Sequence, residues 1–358
     1  MKMIEKRVAV RMPREGFFFY FGWPTVARLQ DGTLALAASG FRHAHMCPWG
    51  KSVLFESADE GATWGPPQIV NDSSIDDRDT GLLVLPDGRL LLSWFSSDMR
   101  DHYGPRGEGG DWANPFRAAT EAWSEENVAR DIGSFVRIRG TDGLWGPRIP
   151  VTPTAPHGPV LLRDGTLLYL GKQFGRWENG VYHGGMKHLS KRRVFAAASA
   201  DGGATWTERG AVPEIEGASS HEPHAIELAD GAILGLLRVH PASKAGGGQP
   251  HFQIWKTLSR DGGRTWDAPE YLAEGSPPHL LRHSSGAIVC TYGFRVAPFG
   301  IRALVSRDEG ASWEAFVLED GEPGSDLGYP ASVELSGGDI FTAYYMQGDL
   351  KTIKWTLN

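Results

Sequence analysis

Ser57-Ala-Asp-Glu-Gly-Ala-Thr-Trp64 returns as Ser199-Ala-Asp-Gly-Gly-Ala-Thr-Trp206, Ser259-Arg-Asp-Gly-Gly-Arg-Thr-Trp266 and Ser306-Arg-Asp-Glu-Gly-Ala-Ser-Trp313. An eight-residue pattern that recurs four times in 358 residues is a structural repeat, and a repeat decides the architecture before any strand is assigned. Its local chemistry is that of a turn. The Asp side chain caps it, the fifth-position Gly supplies positive φ, and the Thr or Ser hydroxyl closes it. Trp then anchors the turn in the core. The repeating unit is therefore β, and the boxes are folding punctuation, not a site.

Between the boxes runs a second repeat, an apolar strand, an Asp-Gly turn and another apolar strand, at Leu29–Leu34, Leu85–Leu90, Leu162–Leu167 and Leu228–Ile233. Weaker copies surround Ser285-Gly286 and Gly337-Gly338, and a weaker box, Gly140–Trp145, follows the second hairpin. The turn glycines stand at 32, 88, 165, 231, 286 and 338. Four short strands with their loops occupy about 45–55 residues. The spacing predicts an all-β chain, a six-bladed β-propeller of four-stranded blades forming one domain over 1–358. Lys6–Arg11 is expected to close the last blade as its outer strand, leaving no long sheet edge open. An insertion from about 98 to 132 contains Ala118–Arg130, a run of good helix formers.

Composition narrows the partners. Net charge is −7, and the one dense basic run is Lys187–Arg193, which argues against nucleic acid. Two cysteines, Cys47 and Cys290, make no disulfide framework, and no Cys/His spacing suggests a metal. No cofactor is expected. Charges in Met1–Val8 interrupt any signal peptide, and no apolar run reaches membrane-spanning length. A cytoplasmic protein with no membrane partner is the expectation, and the oligomeric state stays open.

In a propeller the innermost strand runs down the channel to the turn and the next strand returns, so residues about nine before and seven to ten after the turn glycine meet at one face. Nine before stand Trp23, Asp79, Pro156, Glu222, Pro277 and Tyr329; after it come Arg42, Asp98, Lys172, Arg238, Arg295 and Tyr345. His157, His224 and His279 lie just inside. Ionisable groups gathered at one mouth are costly to desolvate without a task. Asp98 and Lys172 are placed to pair on the rim.

Four such boxes on six blades resemble the sialidase (neuraminidase) superfamily. His221-Glu222-Pro223 through Arg238 resembles the segment with the catalytic Glu and one arginine of the carboxylate-binding triad, and Gly328-Tyr329-Pro330 the segment with the tyrosine nucleophile. The resemblance implies Glu222 as base, Tyr329 as nucleophile and Arg238 as carboxylate ligand. A tyrosine stays neutral until a base takes its proton, so it approaches an anomeric carbon bearing a carboxylate without like-charge repulsion. Arginines hold that carboxylate through paired hydrogen bonds.

Three departures qualify the likeness. The first triad arginine of sialidases, in Phe/Tyr-Arg-Ile-Pro, is replaced in Phe21-Gly22-Trp23-Pro24; the first-blade loop Gly40–Lys51 has no Asp for the general acid; and Tyr344-Tyr345 stands for a Tyr-Glu pair. The expected function is a sialidase-like exo-glycosidase on a terminal acidic sugar. Asp79, His45 or His43 would replace the acid. Arg42, Arg238 and Arg302, or else Arg295, would bind the carboxylate, with His43, His224 and Trp23 among the substrate contacts. A polysaccharide lyase and a non-catalytic glycan-binding propeller are the alternatives.

Overall fold

The computed structural model describes residues 1–103, 114–173, 176–178, 181–183, 193–242 and 251–357. Most of the basic run at 187–193 lies outside them. Six antiparallel sheets follow one another along the chain, each built around a path of four strands. Blade one runs Tyr20–Arg28, Leu34–Arg42, Lys51–Ser57 and Gln68–Asn71 from channel to rim. Blade six takes its three inner strands from Leu327–Glu334, Ile340–Met346 and Asp349–Thr356, and its outermost from the N-terminal Lys2–Val10. The ring is thus closed by pairing the two chain ends, Lys2 opposite Thr356, as the missing outer strand required. The insertion carries helices at Asn114–Glu121 and Glu125–Asp131, the second capped by Ser124 through Asn127 N.

The six inner hairpins are one structure repeated. Their turn glycines have φ of +91°, +86°, +86°, +90°, +89° and +82°, a region that an L side chain enters only with strain. Each turn is closed by two backbone bonds, for example Gly32 N to Leu29 O and Leu29 N to Thr33 O. The weak copies do the same with His283 and Leu335 in the leucine position, so the geometry survives where the sequence signature fades.

The boxes form as their chemistry demands. In the first, Gly61 N donates to Ser57 Oγ at 2.9 Å and Thr63 N to Asp59 Oδ1 at 2.8 Å, while Thr63 Oγ1 donates to Asp59 Oδ2 at 2.6 Å. A Cβ on Gly61 would stand 2.3 Å from the ring of Phe341 in blade six, and one on Gly203 2.9 Å from Leu91 in blade two. These two boxes therefore pack blade one against blade six and blade three against blade two.

Candidate active site

Trp23, Asp79, Glu222 and Tyr329, the nine-before residues of blades one, two, four and six, all have positive φ, at +54°, +52°, +45° and +50°. For bulky residues this is a strained conformation costing on the order of 1–3 kcal/mol each. The cause is a bulge. Ladder pairing skips two residues between Gly22 and Thr25, Arg78 and Gly81, His221 and His224, and Gly328 and Ala331. Two residues then face one on the returning strand, and the strand re-aims its side chain. Proline is tolerated at the second bulge position in Pro24, Pro223 and Pro330 because no ladder bond is needed there. In blades three and five the nine-before residue is itself proline, whose ring excludes positive φ.

Three of the four strained residues, Asp79, Glu222 and Tyr329, line one cavity of about 280 Å³ at the channel mouth. Tyr329 Oη donates to Glu222 Oε1 at 2.8 Å, and Arg238 Nη1 donates to Tyr329 Oη at 2.9 Å and to Glu222 Oε2. Burial opposes ionisation of Glu222, but Arg238 and His221 hold its carboxyl well below the usual range. Burial and the Glu222 charge push the Tyr329 phenol well above its ordinary value. The pair is therefore a carboxylate accepting from a neutral phenol, with a guanidinium against both. Asp79 is pushed the other way, up to about 7, by burial and by the Glu222 charge against the pull of Arg78. Its Oδ1 is buried without a hydrogen-bond partner among the described residues.

His45 also lines the cavity. Its Nδ1 lies 2.9 Å from Asp326 Oδ1, which accepts from Tyr20 and Tyr345 as well. Burial lowers the His45 pKa despite that carboxylate, so the ring is neutral near pH 7. Arg295 lies across Tyr329, 5.4 Å from its ring centroid, and spends Nε on Leu327 O and Nη2 on Tyr345 Oη.

Five sequence-derived ligands stand elsewhere. Arg42 is fully buried and binds Asp76 through both terminal nitrogens at 2.6 and 2.9 Å, with Ser39 Oγ, His45 O, Cys47 O and Asp77 O taking the remaining bonds. It is committed to the frame. Arg302 points to the rim of blade five, where it holds Asp320 and Glu319 O. Trp23 is 1 % exposed and is not among the residues that line the cavity. His43 stacks on Phe17 at 4.3 Å in an aromatic cluster. His224 lies deeper in the channel, stacked on His279 at 4.6 Å and accepting from Leu280 N, and burial pushes its pKa down to about 3. Asp98 pairs with Arg100 and not with Lys172.

Among the cations of the cavity, Arg78 was the one missed from the sequence. Arg78 is 3 % exposed and lies 4.2 Å above the Trp23 ring, with Arg42 at 4.9 Å from the same centroid. Its longest-reaching bonds are weak, 3.4 Å to Asp76 Oδ2, His45 O and Met46 Sδ. A cation over an indole face is held there by the ring quadrupole. Gly22 stands ten before its turn glycine, and so does Arg78 one blade later. That shared offset was the available signal. The Arg78 head thus reaches over blade one, into the sector beside Gly22. Arg78, Arg238 and Arg295 surround the cavity, and no described bond uses one terminal nitrogen of each. Among the described residues no group of three or more His, Cys, Asp or Glu is arranged to hold a metal ion.

A propeller with repeated boxes defines a fold class, and the comparisons agree with that fold. The family model of the BNR repeat-like domain matches residues 145–342. The chain belongs to that family. Among solved structures it is similar to a protein of unknown function from Dyadobacter fermentans DSM 18053, at 22% identity over 99% of both chains with a TM-score of 0.73. The NanB sialidase from Streptococcus pneumoniae aligns at 13% identity over 98% of this chain and 70% of that one, with a TM-score of 0.65. The intramolecular trans-sialidase from Ruminococcus gnavus aligns at 15% identity over 94% of each, with a TM-score of 0.62. At these identities the likeness is one of fold. No curated protein matches the chain.

Proposed function

We propose that the protein is a sialidase-like glycosidase that removes a terminal acidic sugar, with Tyr329 as nucleophile and Glu222 as its base. The observation that carries this is the 2.8 Å Tyr329–Glu222 hydrogen bond with Arg238 against both groups. A binding site has no need of a base on a phenol. The cavity, about 280 Å³, is at the small end of ligand pockets, about 300–1,000 Å³, and suits one sugar ring, hence exo action.

Arg238, Arg295 and Arg78 orient the substrate carboxylate beside Tyr329. Tyr329 Oη bonds to the anomeric carbon as its proton passes to Glu222 Oε1. The glycosidic C–O bond breaks, and the leaving oxygen takes a proton from Asp79, the group whose raised pKa keeps it protonated near neutrality. Water then attacks the same carbon, giving its proton to Asp79, and Tyr329 leaves with the proton from Glu222.

The test is release of fluorophore from 4-methylumbelliferyl glycosides of sialic and uronic acids. Tyr329→Phe and Glu222→Gln should each lower turnover by about 10²–10⁴-fold. Full turnover by Tyr329→Phe overturns the nucleophile. A product absorbing in the near ultraviolet would identify a lyase instead, and a melting shift without product a binding protein.

A further inference from the structure

Lys172 is the one cation of the cavity that the proposed carboxylate clamp does not use. It lies in Leu167–Gln173, the second strand of blade three, and is 2 % exposed. Its Nζ donates to Ser220 O, and among the described residues no carboxylate comes within ion-pairing distance. A buried ammonium without a counter-ion is costly. Burial accordingly pushes its pKa down to about 8, with Glu214 only partly offsetting this. Lys172 also lines a smaller cavity of about 150 Å³ with Arg193, Glu214 and Ser219, so with Ser219 it is shared between the two spaces.

Its position in the ring matters. Blades three and six are opposite in a six-bladed ring. Lys172 therefore faces the cavity from the side away from Tyr329, while Arg238 and Arg295 come from the two blades next before Tyr329 in the ring. In the proposed clamp the substrate carboxylate is held by Arg238 and Arg295 with Arg78, whose head lies over the blade-one Trp23 ring, and Lys172 is left for a different group. Four cations line the cavity, Arg78, Lys172, Arg238 and Arg295, against two carboxylates, Asp79 and Glu222. One substrate charge leaves that excess uncompensated.

We propose that Lys172 forms a second anion subsite, and that the natural substrate is a doubly anionic terminal sugar. One carboxylate lies at the reacting end, and a sulfate, phosphate or second carboxylate lies on the opposite edge of the ring. The proposal rests on the glycosidase reading for the orientation of the sugar. The lysine itself is a point charge with three donors, suited to any of the three oxyanions.

The test is calorimetric binding, which needs no turnover. N-acetylneuraminate is compared with its 9-phosphate, and glucuronate with its 2-, 3- and 4-sulfates, at pH 7 in constant salt. At least one ligand bearing a second anionic group should bind about tenfold or more tightly than its parent, the worth of one charge-assisted hydrogen bond. Lys172→Met should erase that gain and leave the parent's affinity unchanged, and Lys172→Arg should restore part of it. The gain should also fade as pH rises through about 8. No gain for any pair, or a gain that survives in Lys172→Met, overturns the subsite. If the gain depends on Lys172 but no glycoside is cleaved, the subsite stands and the glycosidase reading falls. If singly charged glycosides are cleaved and no second charge helps, the reverse holds.

Discussion

Arg42→Met separates a structural arginine from a ligand-binding one. Arg42 and Asp76 are both fully buried, and the guanidinium meets the carboxylate through two hydrogen bonds of 2.6 and 2.9 Å. Removing Arg42 leaves Asp76 with Gly50 N at 3.2 Å and Arg78 at 3.4 Å as its remaining partners. Breaking such a pair from one side costs about 3–5 kcal/mol, because the remaining charge stays desolvated. Unfolding entropy of about 2.1 cal/mol/K per residue gives about 0.75 kcal/mol per degree for a chain this long. The expected fall in Tm is therefore about 4–7 °C. Arg42→Met/Asp76→Asn should recover much of that loss, since neither charge is then stranded. The assay is thermal unfolding by circular dichroism beside calorimetric binding of N-acetylneuraminate. Affinity should change by less than about threefold in the folded variant. A variant that melts with the wild type yet loses binding would refute the reasoning and return Arg42 to the substrate.

Arg78→Met should do the opposite, weakening binding of acidic glycosides by about tenfold or more for one lost charge-assisted bond. Its Tm should stay close to wild type, since its own bonds are long; KM and Tm together check this. Activity should fall as pH rises through about 7, as Asp79 loses its proton, and a kcat/KM profile reads this directly. Asp79→Asn should abolish the alkaline fall along with most turnover. The stability sign follows from the same group. A carboxyl whose folded pKa is raised stabilises most below its unfolded value, near 3.8, and that contribution is lost as pH climbs to about 7. Asp79→Asn should therefore raise Tm more at pH 8 than at pH 4.

The box chemistry is written within five residues. Asp59 bonds Thr63, Ser57 bonds Gly61 and Asp59, and nothing distant is needed to form them. The same holds for the hairpin turns, whose bonds span three or four residues. That is why blade number and register were legible, and with them the convergence of Asp79, Glu222, Arg238 and Tyr329. The bulges were not. Nothing in Trp23-Pro24 or Tyr329-Pro330 by itself says that the first residue takes positive φ, because the strain is held by the sheet on either side.

By itself the sequence determined the six-bladed ring, its closure by the N-terminal strand and the offsets that face the channel mouth. Only the tertiary structure decided which cations at those offsets are free to meet a ligand. Arg42 and Arg302 carry their charge into Asp76 and Asp320, while Arg78, Arg238, Arg295 and Lys172 keep theirs in the cavity. Turn geometry is settled by neighbours along the chain. The partner of a charge is settled by whichever side chain packing brings within about 3 Å, and for Arg42 that residue is 34 positions away in the next blade.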